Sequence, residues 1–452
     1  MPSAARSAVA PFYLLACLIL GGSAQGIWQN MVLQLAGLAI IAWAAAAPAD
    51  EPLPEPARWL LMLAIAAIAV VALQQVPLPA SLGGHGARTK VLRGFQLLGR
   101  PTGPLPTSLT PYESLSTLLG LIPPLAMFCA IVRLKAYRAS WLAAALLGGA
   151  LAGIMLGALQ VASPGPNSPW YPYAETNVGV GVGFFANANH MASLLVVALP
   201  FVAALAAAGK SRNVQRYSAL LTVSAGIALL LIVGIALNGS LAGYALALPV
   251  IAGSALIVLP RTSGLRRWVA ILAALSVVGA LAAISSSAIG SSRIGQDATS
   301  AVQSREIILK TTGKAIADSM PLGTGLGSFL RVYRLYESPD SVTTEYVIHA
   351  HNDFAELTLE LGVPGIILML VFLGWWLAAV GSVWRKGEGR PFARAASIAS
   401  AAVLVHSLVD FPLRTAAIGA CVAMCLALLA DRREPEPHEA GELRPTRHLV
   451  FP

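Results

Sequence analysis

YSALLTVSAGIALLLIVGIAL, residues 217–237, decides the fold. No charged side chain interrupts it. At about 1.5 Å of rise per residue, a helix of this length crosses a hydrocarbon core of about 30 Å. A helix also satisfies its own backbone polar groups, which lipid requires. Lys210, Arg212 and Arg216 stand before the block, and Asn238-Gly-Ser240 ends it. Working outward, similar apolar blocks recur along the chain. The pattern predicts spans at about 8–25, 29–47, 58–76, 113–132, 139–161, 188–208, 217–237, 241–260, 268–289, 358–381, 395–410 and 415–431. The expected fold is therefore an all-α polytopic membrane protein of about twelve transmembrane helices. The first apolar run follows Arg6 like a signal peptide. With so many spans behind it, it reads as an uncleaved first helix.

Composition supports this reading. The 452 residues are 56% hydrophobic and 11% charged, against about 25% charged in a soluble domain. Mean hydropathy is +0.71. So few charges cannot coat a soluble protein of this size. The formal charge of +9 is better explained by topology than by nucleic acid, which we exclude as a partner. All four cysteines (Cys17, Cys129, Cys421, Cys425) lie in apolar stretches, so no disulfide is expected.

Lysines and arginines set the orientation. Arg133, Lys135 and Arg138 follow the fourth span, and Lys210, Arg212 and Arg216 the sixth. Arg261, Arg266 and Arg267 follow the eighth, and Arg385, Lys386, Arg390 and Arg394 the tenth. Every second loop is basic, which places those loops and both termini in the cytoplasm. The inside loop 48–57 carries Asp50, Glu51 and Glu55, but acidic residues count little in this rule. One transmembrane domain, 1–430, results, with outer loops 77–112, 162–187 and 290–357. The tail 431–452, rich in Pro, Glu and Arg, reads as disordered and cytoplasmic.

Two outer loops carry more than connection. In 77–112, Val91, Phe95 and Leu98 recur at helical spacing among Arg88, Lys90, Arg93 and Arg100. That pattern fits either an interfacial helix meeting membrane lipids or a loop with incidental basic residues. In 290–357, residues 302–318 have a helical apolar pattern, and a glycine-rich turn follows, so this loop should be folded.

Candidate chemistry gathers at the outer face. Gly323-Thr-Gly-Leu-Gly-Ser328 follows no strand, so it reads as tight turns rather than a dinucleotide loop. No metal-ligand spacing is present, and no metal or cofactor is expected. His349-Ala-His351-Asn352 ends the long loop, and Glu356 and Glu360 follow Asn352 at successive four-residue steps. On a helix these share one face, which should line a cavity rather than meet lipid. His349 and His351 would point the same way only on extended backbone. Arg305 opens the helical part of the loop, Asn187 and Asn189 open the sixth span, and His406, Asp410 and Arg414 close the eleventh. Residues from distant stretches thus meet at one membrane surface.

At these residues the chain resembles the O-antigen ligase and polymerase superfamily of bacterial membrane glycosyltransferases. The likeness is carried by Gly183-Phe-Phe-Ala-Asn-Ala-Asn-His-Met-Ala192 and by Ser304-Arg305 through Pro321-Leu-Gly-Thr-Gly-Leu-Gly-Ser-Phe329. His349-Ala-His-Asn352 through Glu360-Leu-Gly362, Ser108-Leu-Thr-Pro111 and His406-Ser-Leu-Val-Asp-Phe-Pro412 add to it. The resemblance implies a C-type glycosyltransferase membrane fold, free of metal, in the bacterial inner membrane. It implies transfer of a glycan from undecaprenyl diphosphate to an acceptor hydroxyl in the periplasm. Under that reading His351 is the catalytic base and Arg305 holds the diphosphate. His349, Asn352, Asn187, Asn189 and Glu360 position substrate. One departure stands out: Leu241 follows Ser240 where relatives often carry arginine. Either Arg331, Arg334 or Arg414 supplies the charge, or the donor sits differently.

The proposed chemistry suits these side chains. Guanidinium stays charged and forks onto phosphate oxygens, while imidazole can accept a proton near neutral pH. In-line displacement would invert the anomeric centre. A ligase would use lipid A core as acceptor, a polymerase another lipid-linked glycan, and a third option is protein O-glycosylation. A polysaccharide transporter or flippase is the competing class, since twelve spans suit it. Yet transporters place polar groups near the midplane, often in paired halves. A non-catalytic scaffold would not explain why histidines and arginines converge.

Overall fold

The computed structural model describes residues 3–24, 26–48, 52–79, 86–101, 103–165, 167–260, 262–285, 293–342, 347–385 and 390–431. Arg261, Lys386 and the tail beyond 431 lie outside these residues, as do parts of the loops 77–112 and 290–357. The chain is all-α apart from one short antiparallel pair, β1 (Pro77–Leu78) with β2 (Leu105–Pro106). In order the helices are α1 Ser3–Leu20, α2 Trp28–Ala46, α3 Glu55–Gln74, α4 Ala87–Leu97, α5 Pro111–Leu119, α6 Ile122–Val132, α7 Ala139–Ala162 and α8 Ala188–Ala208. Then come α9 Val214–Asn238, α10 Leu241–Val258, α11 Gly264–Ser285, α12 Arg293–Ser319, α13 Phe329–Tyr333, α14 Asp353–Arg385, α15 Pro391–His406 and α16 Ala416–Ala430.

This is a multi-pass membrane protein. Among the described residues, eight helical segments are long and apolar enough to cross a membrane, and Ala4–Leu20, α15 and α16 are shorter apolar helices. The expected fourth span divides into α5 and α6. Pro123 and Pro124 lack the N–H groups that would bond to the preceding turn, so the first helix stops at Leu119 and a second begins at Ile122. The expected eleventh span ends early. Its helix closes at His406, and residues 407–411 turn before Pro412.

α8 is the most enclosed of the long helices, packed against α7, α9, α10 and α15. Small residues allow these close approaches. A Cβ on Gly243 of α10 would lie 2.9 Å from Cβ of Ala192 on α8. α14 is the opposite case. Ile367, Leu370, Val371 and Leu377 are exposed, as suits a helix facing lipid.

α14 also breaks, and the backbone accounts for it. Pro364 has no N–H for the carbonyl of Glu360, and Gly362 takes φ 64°. The N–H of Val363 turns instead to the Pro321 carbonyl at 2.8 Å. The two orphaned carbonyls are filled from outside. Glu360 O accepts from Gly325 N at 2.9 Å and from Gln74 Nε2 at 2.9 Å, and Leu359 O accepts from Thr324 N at 3.0 Å. The glycine-rich turn is therefore a plug for a broken helix. A Cβ on Gly362 would lie 2.6 Å from Gly323 N, and one on Gly325 2.6 Å from Cβ of Ser108.

Arginines close helix ends at one face of the bundle. Arg133 donates to Ala47 O (2.5 Å) and Pro48 O (3.2 Å) at the end of α2. Arg266 donates to Leu256 O (2.8 Å) and Leu259 O (3.0 Å) at the end of α10. Arg390 donates to Leu428 O (3.2 Å) and to Asp431 O at the end of α16. Unsatisfied carbonyls and the negative end of the helix dipole both favour a cation there. Ser240 and Arg414 stand at the opposite ends of two of these helices, before α10 and α16.

The loop regions are folded where described. α4 forms over residues 87–97, and buried Arg88 donates to Leu78 O (3.2 Å), Leu105 O (2.7 Å) and Pro106 O (2.6 Å), clamping the β1–β2 pair. Buried Gln160 holds the 162–187 segment through Trp170 O (3.0 Å), Gly183 O (2.9 Å) and the N–H groups of Val182 (2.9 Å) and Gly183 (2.8 Å).

Candidate active site

Asp410 is the centre of the polar cluster. It sits in the turn between α15 and α16, and its side chain is 1% exposed. Oδ1 accepts from Phe411 N at 2.9 Å and lies 3.2 Å from Nδ1 of His351. Oδ2 accepts from Nδ2 of Asn189 and lies 3.9 Å from Nη2 of Arg305. Burial pushes the Asp410 carboxyl up, but the His351 hydrogen bond and the surrounding imidazoles together outweigh it and hold it well below the usual carboxylate range. An ionised carboxylate only accepts. His351 must therefore donate from Nδ1, which leaves Nε2 free to take a proton.

His351 and Arg305 reach this carboxylate from different parts of the chain. Their side chains are 27% and 32% exposed, so both also face solvent. His351 lies just before α14 with φ +49°. This left-handed conformation is uncommon outside glycine, though histidine is among the residues that tolerate it best. The backbone is not extended here, and His349 and His351 take different partners. Phe411 packs between them, with ring centroids 4.2 Å from His349 and 5.1 Å from His351.

His349 belongs to a second, buried cluster around Arg414. Its Nδ1 lies 2.9 Å from Oε1 of Glu356, and Oε2 of Glu356 accepts from Ala350 N at 2.8 Å. Arg414 Nη2 lies 3.2 Å from both Glu356 Oε1 and Glu360 Oε2, and its Nε lies 3.6 Å from Asp353 Oδ1. Burial pulls the guanidinium toward losing its proton. The three carboxylates override that and hold it above the ordinary arginine range. The expected cavity along Glu356 and Glu360 is thus occupied by Arg414.

The site residues read from the sequence separate accordingly. Arg305, His351 and Asn189 meet at Asp410. Asn187 caps α8, accepting from Asn189 N at 2.8 Å. Asn352 caps the start of α14, accepting from Ala355 N at 2.9 Å and donating to Leu408 O at 2.9 Å. Glu360 was expected to position substrate, yet it is fully buried against Arg414. Arg414 was expected to hold diphosphate, yet its guanidinium is committed to three carboxylates. Arg331 on α13 pairs with Glu113 at 3.5 Å and is 62% exposed. Among the described residues, no group of three or more His, Cys, Asp or Glu could hold a metal ion.

Residues 226–370, from within α9 to within α14, match the O-antigen ligase family. The chain carries an O-antigen ligase domain. That domain includes Ser240, Arg305, the glycine-rich turn, His349, His351 and the break at Gly362. Asn189, Asp410 and Arg414 lie outside it and complete its polar clusters from both flanks. The family matched is one of ligase- and polymerase-type membrane glycosyltransferases of surface polysaccharide synthesis. No curated protein matches the chain.

Asp410 is the residue whose importance sequence reasoning underrated. Its signal was an acid four residues after His406 at the end of an apolar helix. Nothing local shows that it would join α8 to His351.

Proposed function

We propose that this protein transfers a glycan from undecaprenyl diphosphate to an acceptor hydroxyl at the extracytoplasmic face of the bacterial inner membrane. The observation that carries the reading is that His351 and Arg305 flank one buried carboxylate while both remain open to solvent. His351 Nε2 takes the acceptor proton as the acceptor oxygen bonds to the anomeric carbon. The bond from that carbon to phosphate breaks, and undecaprenyl diphosphate leaves with the electron pair, inverting the centre. Arg305 holds the developing diphosphate charge, with exposed Arg331 available to a bound headgroup. Asp410 orients His351 and stabilises its protonated form. Arg414 serves as the scaffold beneath. Both termini lie in the cytoplasm, in line with the basic loops at the opposite face.

The acceptor is lipid A core for a ligase, and a second lipid-linked glycan for a polymerase. Purified protein in lipid nanodiscs, given an undecaprenyl-diphosphate glycan with each acceptor in turn, tests the reading. Transfer to lipid A core is expected. Chain extension without that transfer would make the protein a polymerase. No product with any acceptor would remove the assignment.

A further inference from the structure

Asn189 is held from four sides. Its backbone N–H donates to Asn187 Oδ1 at 2.8 Å, and its carbonyl accepts from Ser193 Oγ at 3.1 Å. Its side-chain amide bridges Asp410 and Ser240. Nδ2 donates to Asp410 Oδ2, while Oδ1 accepts from Ser240 Oγ at 2.7 Å. Ser240 is itself the cap of α10, accepting from Gly243 N at 3.1 Å. Its hydroxyl hydrogen therefore goes to Asn189.

The proton inventory admits one arrangement. Flipping the Asn189 amide would set its oxygen against the Asp410 carboxylate, two acceptors with no hydrogen between them. So Ser240 donates to Asn189 and Asn189 to one oxygen of Asp410, while His351 donates to the other, and the bonds converge on the carboxylate from both sides. The network joins the start of α10, the start of α8, the turn before α16 and a residue two places before α14. Ser193 adds a branch, its hydroxyl lying 2.7 Å from Nδ1 of His406. Because the Asn189 carbonyl can only accept, Ser193 donates to it and accepts from His406.

We infer that Asn189 and Ser240 are positioning residues, which act on the acceptor proton through Asp410 and His351 without touching the glycan. The inference rests on the glycosyl-transfer reading above. Asn189 sets which way the carboxylate faces, and Ser240 sets which way the amide faces. His351 is then aimed before substrate arrives, and misplacement by about 1 Å can cost about 10²-fold in rate.

Steady-state transfer by the full-length protein in nanodiscs tests this with Asn189→Ala, Ser240→Ala, Ser240→Gly and Ser240→Thr beside His351→Ala and Asp410→Asn. Ser240→Gly keeps most of the capping preference, so its loss reports the hydroxyl rather than the helix end. Asn189→Ala, Ser240→Ala and Ser240→Gly are each expected to lower kcat roughly 10- to 100-fold, with KM for donor and acceptor unchanged. Ser240→Thr restores kcat. A raised KM at normal kcat would show direct substrate contact and overturn the inference. So would normal kcat in Asn189→Ala and Ser240→Gly alongside loss in His351→Ala. Full transfer by His351→Ala would instead remove the glycosyl-transfer site itself, and this relay with it.

Discussion

Arg414 and Glu356 form a buried ion pair, Nη2 to Oε1 at 3.2 Å, with His349 on the same carboxylate oxygen at 2.9 Å. Arg414 thereby ties the turn before α16 to the first turns of α14. Removing it would strand three buried carboxylates, and breaking such a pair costs about 3–5 kcal/mol. Arg414→Met should lower the melting midpoint of the detergent-solubilised protein substantially. An unchanged midpoint would show that the cluster contributes little to folding.

Arg305 should behave differently, because it lies 3.9 Å from Asp410 and is partly exposed. Arg305→Ala should leave the melt nearly unchanged while transfer falls about 10²-fold or more, the scale of losing one preorganised donor. Arg305→Lys keeps the charge but not the planar fork, so it should recover only part of the rate. Normal turnover in Arg305→Ala would end its role at the diphosphate.

His351 combines a proton-accepting ring with a left-handed backbone. Asparagine also tolerates that backbone, so His351→Asn should keep the fold better than His351→Ala. Both should lose roughly 10²–10⁴-fold in transfer, the usual contribution of a general base. Transfer assays run with a melt on the same preparations separate the two effects. Near-normal turnover in His351→Asn would exclude proton abstraction by the ring.

Two glycines of α14 make an internal comparison. Gly362 has positive φ and faces the glycine-rich turn, whereas a Cβ on Gly374 would meet nothing within 4 Å. Gly374→Ala should be neutral or stabilising by about 0.5–1 kcal/mol. Gly362→Ala should destabilise by at least about 1–3 kcal/mol. Equal melts for the two would mean that the plugged break carries no strain.

Much of this was legible in the sequence. Apolar blocks located the helices, because lipid leaves a backbone few alternatives. Asn189, His351 and Asp410 were legible from their places at helix ends, whereas Arg305, expected to open its helix, lies in the middle of α12. Other features needed the third dimension. Glu356 and Glu360 on one helical face were read as a cavity wall, since the sequence does not show that Arg414, more than fifty residues on, fills the space. The glycine-rich turn was recognisable as turns, but its task depends on carbonyls freed by Pro364. Ser240 was noted only as the residue before Leu241, where an arginine was expected, and its bond to Asn189 crosses from one helix to another.

The capped helix ends bear on how such a chain is built. While a chain threads into the bilayer, a loop arginine acts as a retention signal for the segment beside it. Here Arg133, Arg266 and Arg390 go on to clasp the last carbonyls of α2, α10 and α16. In the proposed orientation one charge does two jobs in succession, first steering and then fastening. Relocating these arginines to invert the protein would also unbutton the bundle.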